Sequence, residues 1–408
     1  MSKKNNAPRL GNAQSAIGSL MASLTCILLG LMIGFVVLLV LGWITMAQGG
    51  KMVTFGEMFQ KTWNSGFKAI LSGGFYKTAN ALGMGVRSEI LEAAPLIMTG
   101  LSVAFAFKTG LFNIGAAGQY TVGAYFALYC AIILKMPWWV CLIAAAVGGA
   151  IWGAIPGIFK AFLNVNEVIT AIMFNWIGLY GVNTLIYQKG TGAMYNANTT
   201  KTYTIAQASS GSLLPTFNVQ VDGKDYFGMA GMYEPSIGIF IAIAVAVVIW
   251  VILNKTTFGY ELKACGHNKN AAKYAGINEK KNVVLSMTIA GALAGLGAGL
   301  FFLSGSKEWE PLVSTALPAT GFNGISVALL ASSNPLGCIF SALFISHITV
   351  GGGFMDASVF PGEVSDIISG VVIYLCAFSL LFKSGILKMM SRKPKAAVKA
   401  DAGKEGDA

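Results

Sequence analysis

The chain alternates apolar runs with short polar stretches along most of its length. A bilayer core of roughly 30 Å needs about 20 apolar residues in a helix that crosses it. Seven segments have this character, and three shorter or interrupted ones follow them. The segments are 24–47, 90–107, the run that begins at 112, 138–158, 167–187, 237–253, 283–303, 324–330, 337–350 and 367–382. The pattern predicts an all-α, polytopic transmembrane helical bundle of about ten spans, with 304–331 partly re-entrant.

Composition agrees with a membrane protein, since 55% of the 408 residues are apolar and only 11% are charged. Soluble domains carry about 25% charged residues. The net charge of +11 is explained by basic loops and tails, so we expect no nucleic-acid partner. The six cysteines show no metal-ligand spacing, and no metal site is expected.

Basic residues concentrate in three segments and orient the chain. They are an N-terminal tail (1–23), a loop at 254–282 and a C-terminal tail (386–408). Ten crossings put all three on one side, which the positive-inside rule identifies as the cytoplasm. The transmembrane domain is then 24–385, and the polar loop at 188–234 is external. Five basic residues at 51–87 oppose this orientation. An amphipathic surface helix in that stretch, with Phe55, Met58, Phe59, Trp63, Phe67 and Ile70, would account for them.

The two halves of the chain resemble each other at one point. Phe112-Asn113 opens the third span from the inside, and Phe322-Asn323 opens the eighth from the outside, each followed by glycine and small residues. Opposite orientation is typical of an inverted repeat, here of two five-helix halves.

Three amide side chains fall at membrane depth, where they need partners. Asn113 and Gln119 belong to the glycine-rich segment FNIGAAGQYTVG, and Asn175 follows the polar turn at 164–167. One hypothesis is that they line a translocation path, together with Phe322 and Asn323. The alternative is that they only pack helices together. Glu167 is expected to cap its helix with Asn164 or Asn166.

The cytoplasmic loop carries a short helix of small residues between glycines. An exposed helix of this kind can dock into a groove of another protein. We therefore expect a partner-contacting surface made of Lys263, Gly266, Asn270, Ala271, Ala272, Ala275 and Gly276.

The sequence holds no phosphate-binding GxxxxGK[ST] segment, no HExxH and no GxSxG. Catalysis by this chain is therefore not expected. His347 lies in an apolar run, where a hydrogen-bonded packing role is favoured over a ligand role.

Three segments carry a resemblance to a known family: GLFNIGAAGQ at 110–119, NVNEVITAIMFNWIGLY at 164–180 and GYELKACGHNKNAAKYAGI at 259–277. The chain resembles the ABC importer permeases of the branched-chain amino acid and ribose class, and most closely their nucleoside-uptake branch. The family pattern usually has Arg where Lys263 stands and Glu where Ala117 stands.

The resemblance implies partners and a cofactor outside this chain. A cytoplasmic ATPase that binds ATP and Mg would dock on the 270–276 helix, and a second, related permease would complete the channel as a heterodimer. An extracellular substrate-binding lipoprotein would deliver nucleosides, and membrane lipid would surround the bundle.

Two alternatives remain open from the sequence. Within the same class, the substrate could be a simple sugar such as ribose, or a branched-chain amino acid. In another class, the chain would be a secondary transporter driven by H⁺ or Na⁺. That class needs an ion site near the midplane, where the spans offer few buried carboxylates.

Overall fold

The computed structural model describes residues 12–48, 54–75, 82–187, 193–217, 220–221, 224–225, 235–311, 316–360, 363–378, 382 and 385. Residues 1–11 of the predicted N-terminal tail, the whole predicted C-terminal tail and parts of the 188–234 loop lie outside these residues. The described chain is helical apart from two very short hairpins. The predicted fold class, a polytopic helical bundle, is confirmed.

The helices and strands have the following bounds. The helices of the first half are α1 (Asn12–Gln48), α2 (Phe55–Thr62), α3 (Lys68–Ser72), α4 (Leu82–Lys108), α5 (Ala116–Ile132), α6 (Trp138–Leu163) and α7 (Glu167–Tyr187). Next come β1 (Tyr195–Asn196), β2 (Lys201–Thr202), α8 (Ile205–Ala208), β3 (Gln220–Val221) and β4 (Lys224–Asp225), with β1 antiparallel to β2 and β3 to β4. The second half contains α9 (Gly238–Lys255), α10 (Thr257–His267), α11 (Lys269–Tyr274), α12 (Glu279–Phe302), α13 (Ala319–Leu330), α14 (Pro335–Gly353) and α15 (Glu363–Ala377).

Seven of the described helices are long and apolar enough to cross a membrane: α1, α4, α6, α7, α9, α12 and α14. The shorter helices α5, α13 and α15 occupy the other three predicted positions. Helix α13 has 12 residues, which at 1.5 Å per residue is about 18 Å and less than a bilayer core. The segment predicted to be partly re-entrant therefore contains a short helix.

The bundle has two distinct ends. At the α10 end, the turn between α4 and α5 lies against α10, where Gly110 approaches Gly266. At the hairpin end, the Ser212 hydroxyl donates to the Met136 carbonyl oxygen over 2.5 Å, and the Trp309 amide donates to the Thr202 hydroxyl over 3.1 Å. The loop that was predicted to be external and the loop that was predicted to be cytoplasmic therefore lie at opposite ends.

Helices α4 and α12 form an antiparallel pair at the centre. Helix α4 contacts α12, α13 and α14, and helix α12 contacts α4, α5 and α6. Helices α13 and α14 follow α12 along the chain, just as α5 and α6 follow α4. Each central helix therefore contacts the two helices that follow its counterpart in the other half, and the two central helices run in opposite directions. This contact pattern is that of an inverted repeat. The N-termini of α5 and α13 meet, with Gly321 packed on the backbone of Ala117.

A glycine seam joins α6 to α12. Gly149 and Gly153 of α6 face Gly291 and Gly295 of α12 so closely that a Cβ at any of the four would collide with backbone atoms. Small residues let membrane helices approach in this way, and van der Waals contact then replaces the hydrophobic driving force that lipid removes.

Helices α1, α2, α3 and α15 form a second layer beside α14. The predicted surface helix is present, and it begins with a capping box in which Thr54 and Glu57 satisfy each other's backbone groups. Met58, Phe67 and Ile70 are buried on its inner side. Phe55, Phe59 and Trp63 are exposed on the other, as expected of a helix that lies in the membrane interface.

Candidate translocation and coupling sites

Helix α5 begins inside the bundle rather than at its edge. The chain leaves α4 through Thr109 and Gly110, whose φ of +75° suits glycine. It then folds back, because the Leu111 amide donates to the Ala106 carbonyl oxygen over 2.9 Å. As a result Asn113 lies beside Ser102, almost two helical turns back along α4.

Asn113 and Gln119 pair through both of their amide groups. Asn113 Nδ2 donates to Gln119 Oε1 over 2.7 Å, and Gln119 Nε2 donates to Asn113 Oδ1 over 3.0 Å. Asn113 also donates to the Ser102 hydroxyl over 2.9 Å, and that hydroxyl donates to the Ala290 carbonyl oxygen over 2.6 Å. All three side chains are buried. The network connects α4, α5 and α12.

Asn175 connects α7 to the same opening. Its Oδ1 accepts a hydrogen bond from the Gly118 amide over 2.8 Å, and its Nδ2 donates to the Ile114 carbonyl oxygen over 3.0 Å. The amide at Gly118 is in the first turn of α5 and has no partner within the helix. Asn175 supplies that partner from a neighbouring helix.

These three predicted path residues are thus buried and hydrogen-bonded within the chain. In this conformation they do what the packing alternative requires, since a buried amide must have partners. Their exposure to a translocation path stays a prediction for another conformation.

Helix α13 presents its predicted residues differently. Phe322 is exposed and Asn323 is half-buried, while Gly321 and Gly324 turn inward against Ala117 and Thr99. The outward face of α13 therefore carries one aromatic ring and one amide near the middle of the bundle.

The predicted coupling residues lie on α10, α11 and the turn after them. Asn268 begins α11 by accepting from the Ala271 amide over 3.1 Å, and Gly276 ends the segment with a φ of +79°. Asn270, Ala271, Ala275 and Gly276 are exposed, and Lys263 and Gly266 are half-buried. Ala272 is buried and faces the bundle, so it supports the helix from inside.

Gly266 touches the end of α4. Its Cα lies so near Thr109 and Gly110 that neither Gly266 nor Gly110 has room for a Cβ. The Thr109 hydroxyl is also hydrogen-bonded to the hydroxyl of Ser286 on α12. Sequence reasoning did not single out Gly110, Ser102 or Ser286, because only the fold brings them to the predicted residues.

The turn between α6 and α7 is a capped helix start, as predicted. Asn166 Oδ1 accepts from the Val168 amide over 2.8 Å. Glu167 lies in the first turn of α7 and pairs with Lys160 at 2.8 Å.

Among the described residues, no group of three His, Cys, Asp or Glu side chains could hold a metal ion. His347 has the predicted packing role. Its Nδ1 lies 2.9 Å from Glu89 Oε1, and its Nε2 lies 3.0 Å from the Leu71 carbonyl oxygen. The pair attaches α3 to α4 and α14.

The hairpin end holds a polar pocket of about 260 Å³ lined by Asn196, Thr199, Lys201, Thr202, Thr204, Gln207 and Glu308. Lys201 pairs with Glu310 at 2.6 Å. The hydrogen bond to Glu310 raises the pKa of Lys201, so this amine stays charged at neutral pH. Trp309 fastens the region to α7, because its Nε1 donates to Asn183 Oδ1 over 2.8 Å.

Residues 88–377 match the family described as the branched-chain amino acid transport system/permease component. The chain belongs to this family. It is 35% identical to the guanosine ABC transporter permease protein NupP of Bacillus subtilis, over 91% of this chain and 97% of that protein.

Two further relatives are similar over most of their length. The nucleoside ABC transporter permease protein NupB of Lactococcus lactis is 34% identical, over 76% of this chain and 82% of that protein. The glucose ABC transporter permease protein TsgB13 of Haloferax volcanii is 30% identical, over 73% and 77%. No solved structure matched the chain.

The chain is therefore a membrane-spanning permease subunit of an ABC transporter and not an enzyme. ATP is hydrolysed by a separate subunit, which this family implies as a partner. The resemblance noted in the three sequence segments is confirmed.

Proposed function

We propose that this permease imports nucleosides. The observation that carries the proposal is the 35% identity to a guanosine permease over almost the full length of both chains. The second nucleoside permease, at 34% identity, supports it. The glucose permease is also similar, so a sugar is the second candidate.

The exposed face of α13 is our candidate for the substrate path. Phe322 could stack on a nucleobase, and Asn323 could donate and accept hydrogen bonds at its edge. A half-buried amide and an exposed ring close to the middle of a bundle suit an aqueous path better than lipid. A second, related permease would cover this face and enclose the path.

The ATPase would bind at the α10 end. Asn270, Ala271, Ala275 and Gly276 are exposed there, on a short, capped helix and the turn after it. Gly266 packs against the end of α4. The Lys-rich loop supports a cytoplasmic position for this end, by the positive-inside rule. The hairpin end is then external, where a substrate-binding lipoprotein would deliver its cargo.

Uptake in cells tests the substrate. Cells that lack this chain should lose uptake of labelled uridine and guanosine, and the wild-type gene should restore it. In wild-type cells, excess ribose, leucine or glucose should leave nucleoside uptake unchanged. Unchanged nucleoside uptake in the deleted cells, with loss of glucose or ribose uptake, would decide for the sugar.

A variant on α11 tests the coupling surface. Ala271→Arg should abolish uptake without affecting membrane insertion, because a large charge would occupy the docking face. Ala271→Ser is the matched control and should transport normally. Normal uptake by Ala271→Arg would place the ATPase contact elsewhere.

A further inference from the structure

Tyr120 of α5 has a buried hydroxyl without a hydrogen-bond partner among the described residues. The side chain is only 2% exposed, and its ring packs on Phe302 with 6.3 Å between the ring centroids. Buried polar groups in proteins nearly always have partners, and an exception calls for an explanation. Phenylalanine would fill the same space without leaving a hydroxyl unsatisfied.

Two polar side chains from other helices accompany this hydroxyl. Thr320 of α13 directly precedes Gly321, which packs on Ala117 one helical turn before Tyr120. Glu92 of α4 pairs with Lys307, whose amine lies over the ring of Phe301, next to the Phe302 that Tyr120 contacts. Neither satisfies the Tyr120 hydroxyl with a hydrogen bond of normal geometry. The Glu92 carboxylate is 30% exposed, and its ion pair with Lys307 is loose at 3.7 Å.

The position of these groups suggests a route to them. They lie where the N-termini of α5 and α13 meet, since Gly321 packs on Ala117 three residues before Tyr120. Lys307 is 65% exposed and belongs to the segment that contacts β2 at the hairpin end. The cluster therefore lies between the hairpin end and the exposed face of α13.

We propose that Tyr120, Glu92 and Thr320 form a subsite for a hydroxyl group of the substrate, which for a nucleoside is a ribose hydroxyl. The assignment of ribose rests on the proposed function. A substrate hydroxyl can donate to the Glu92 carboxylate and accept from the Tyr120 hydroxyl at the same time, and Thr320 can do either. Such a neutral, hydrogen-bonding ligand satisfies the orphan hydroxyl without bringing a charge into the membrane.

Tyr120→Phe in the complete, reconstituted transporter is the direct test. The KM for uridine should rise about tenfold, the loss that one missing hydrogen bond to substrate brings. ATP hydrolysis should persist. Tyr129→Phe, on the same helix but with an exposed side chain, is the matched control and should leave the KM unchanged.

Glu92→Gln, compared with Lys307→Gln, distinguishes the effect of the carboxylate itself from the effect of its ion pair. Glu92→Gln should also raise the KM for uridine, whereas Lys307→Gln, which removes the same ion pair, should not. Among 2′-, 3′- and 5′-deoxyuridine, the analogue that lacks the bound hydroxyl should be carried equally well by the wild type and by Tyr120→Phe.

A merely structural role gives the opposite result. Tyr120→Phe would then raise the melting temperature, because it removes an unsatisfied hydroxyl, and would leave the KM for uridine and all three analogues unchanged. That result would overturn the subsite. If the wild type carries a sugar and not uridine, the nucleoside proposal fails, and the same comparison on that sugar decides the subsite.

Discussion

The two helix openings begin with the same dipeptide and end in different environments. Asn113, at the opening of α5, is buried and bonded to Gln119 and Ser102. Asn323, at the opening of α13, is half-buried on an outward face, next to the exposed ring of Phe322. The side chains at the start of α5 are hydrogen-bonded to one another, whereas those at the start of α13 are available to substrate or to a second subunit.

The number of neighbouring helices explains the difference. Among the described helices, α5 is enclosed by α4, α6, α7, α12 and α13. Helix α13 contacts α4, α5, α14 and α15, and Phe322 is exposed on its remaining face. An amide surrounded by helices must find its partners inside the chain. An amide on an exposed face is available to form hydrogen bonds with substrate or with a second subunit. Equivalent positions of an inverted repeat can thus divide structural and transport roles between them.

The largest effect should come from disrupting the contact between α10 and the turn that joins α4 to α5. Gly266→Ala places a Cβ against the backbone of Thr109 and Gly110, and overpacking of this kind costs about 1–3 kcal/mol. Uptake should fall at least about tenfold, while ATP hydrolysis by the assembled complex continues.

Gly181→Ala is the matched control for this contact. Gly181 is also a helical glycine, in α7, but nothing lies within 4 Å of its Cβ position. The substitution should leave both the contact and uptake intact. Equal losses of uptake in both variants would mean that α10 does not act through Gly110.

A smaller effect is expected on the free energy of unfolding, to which Asn113 should contribute more than Asn323. Asn113→Leu leaves Gln119 without its partner and should lower the free energy of unfolding by about 1–3 kcal/mol. Asn323→Leu should change it by less than about 0.5 kcal/mol, as is usual away from buried networks. Thermal unfolding in detergent measures both, and equal values would contradict the comparison.

Labelling of single cysteines sharpens the same contrast. Phe322→Cys and Asn323→Cys should react with a water-soluble thiol reagent in the isolated chain, because their positions are accessible. Cysteines at Asn113, Gln119 and Asn175 should be protected without ATP. Reaction at these three positions during ATP turnover would support their predicted place on the path. Protection throughout would leave them a packing role alone.

The smallest effect is expected at the hairpin end. Lys201→Met removes the pair with Glu310, and solvent-exposed pairs contribute little to stability. Because the pKa of Lys201 is raised, the contribution of the pair is complete below the ordinary lysine pKa and is lost as the pH rises through the raised value. At pH 7 the contribution is present but small, since the pair is exposed to solvent. The melting temperature at pH 7 should stay within error, and a clear decrease would indicate that the pair organises the loop.

Much of the architecture followed from residue types alone. Apolar runs of membrane length, glycine and the distribution of lysine led to the helical bundle, and three local segments led to the family. These features act within one helix or one loop, so their effect can be read without knowing what lies beside them. Asn166 and Asn268 are examples, since each caps a helix with atoms two or three residues away.

What the sequence by itself determined is therefore the class of protein, its family and the approximate positions of its helices. Only the tertiary structure decided which polar groups are satisfied. Asn113 meets Ser102, Ser102 meets Ala290, Gly110 meets Gly266, and Tyr120 meets Phe302, and most of these partners are distant along the chain. Hydrogen bonding and close packing act over about 3–4 Å. Whether an amide or a hydroxyl is buried, paired or available thus depends on neighbours that only the folded chain assembles.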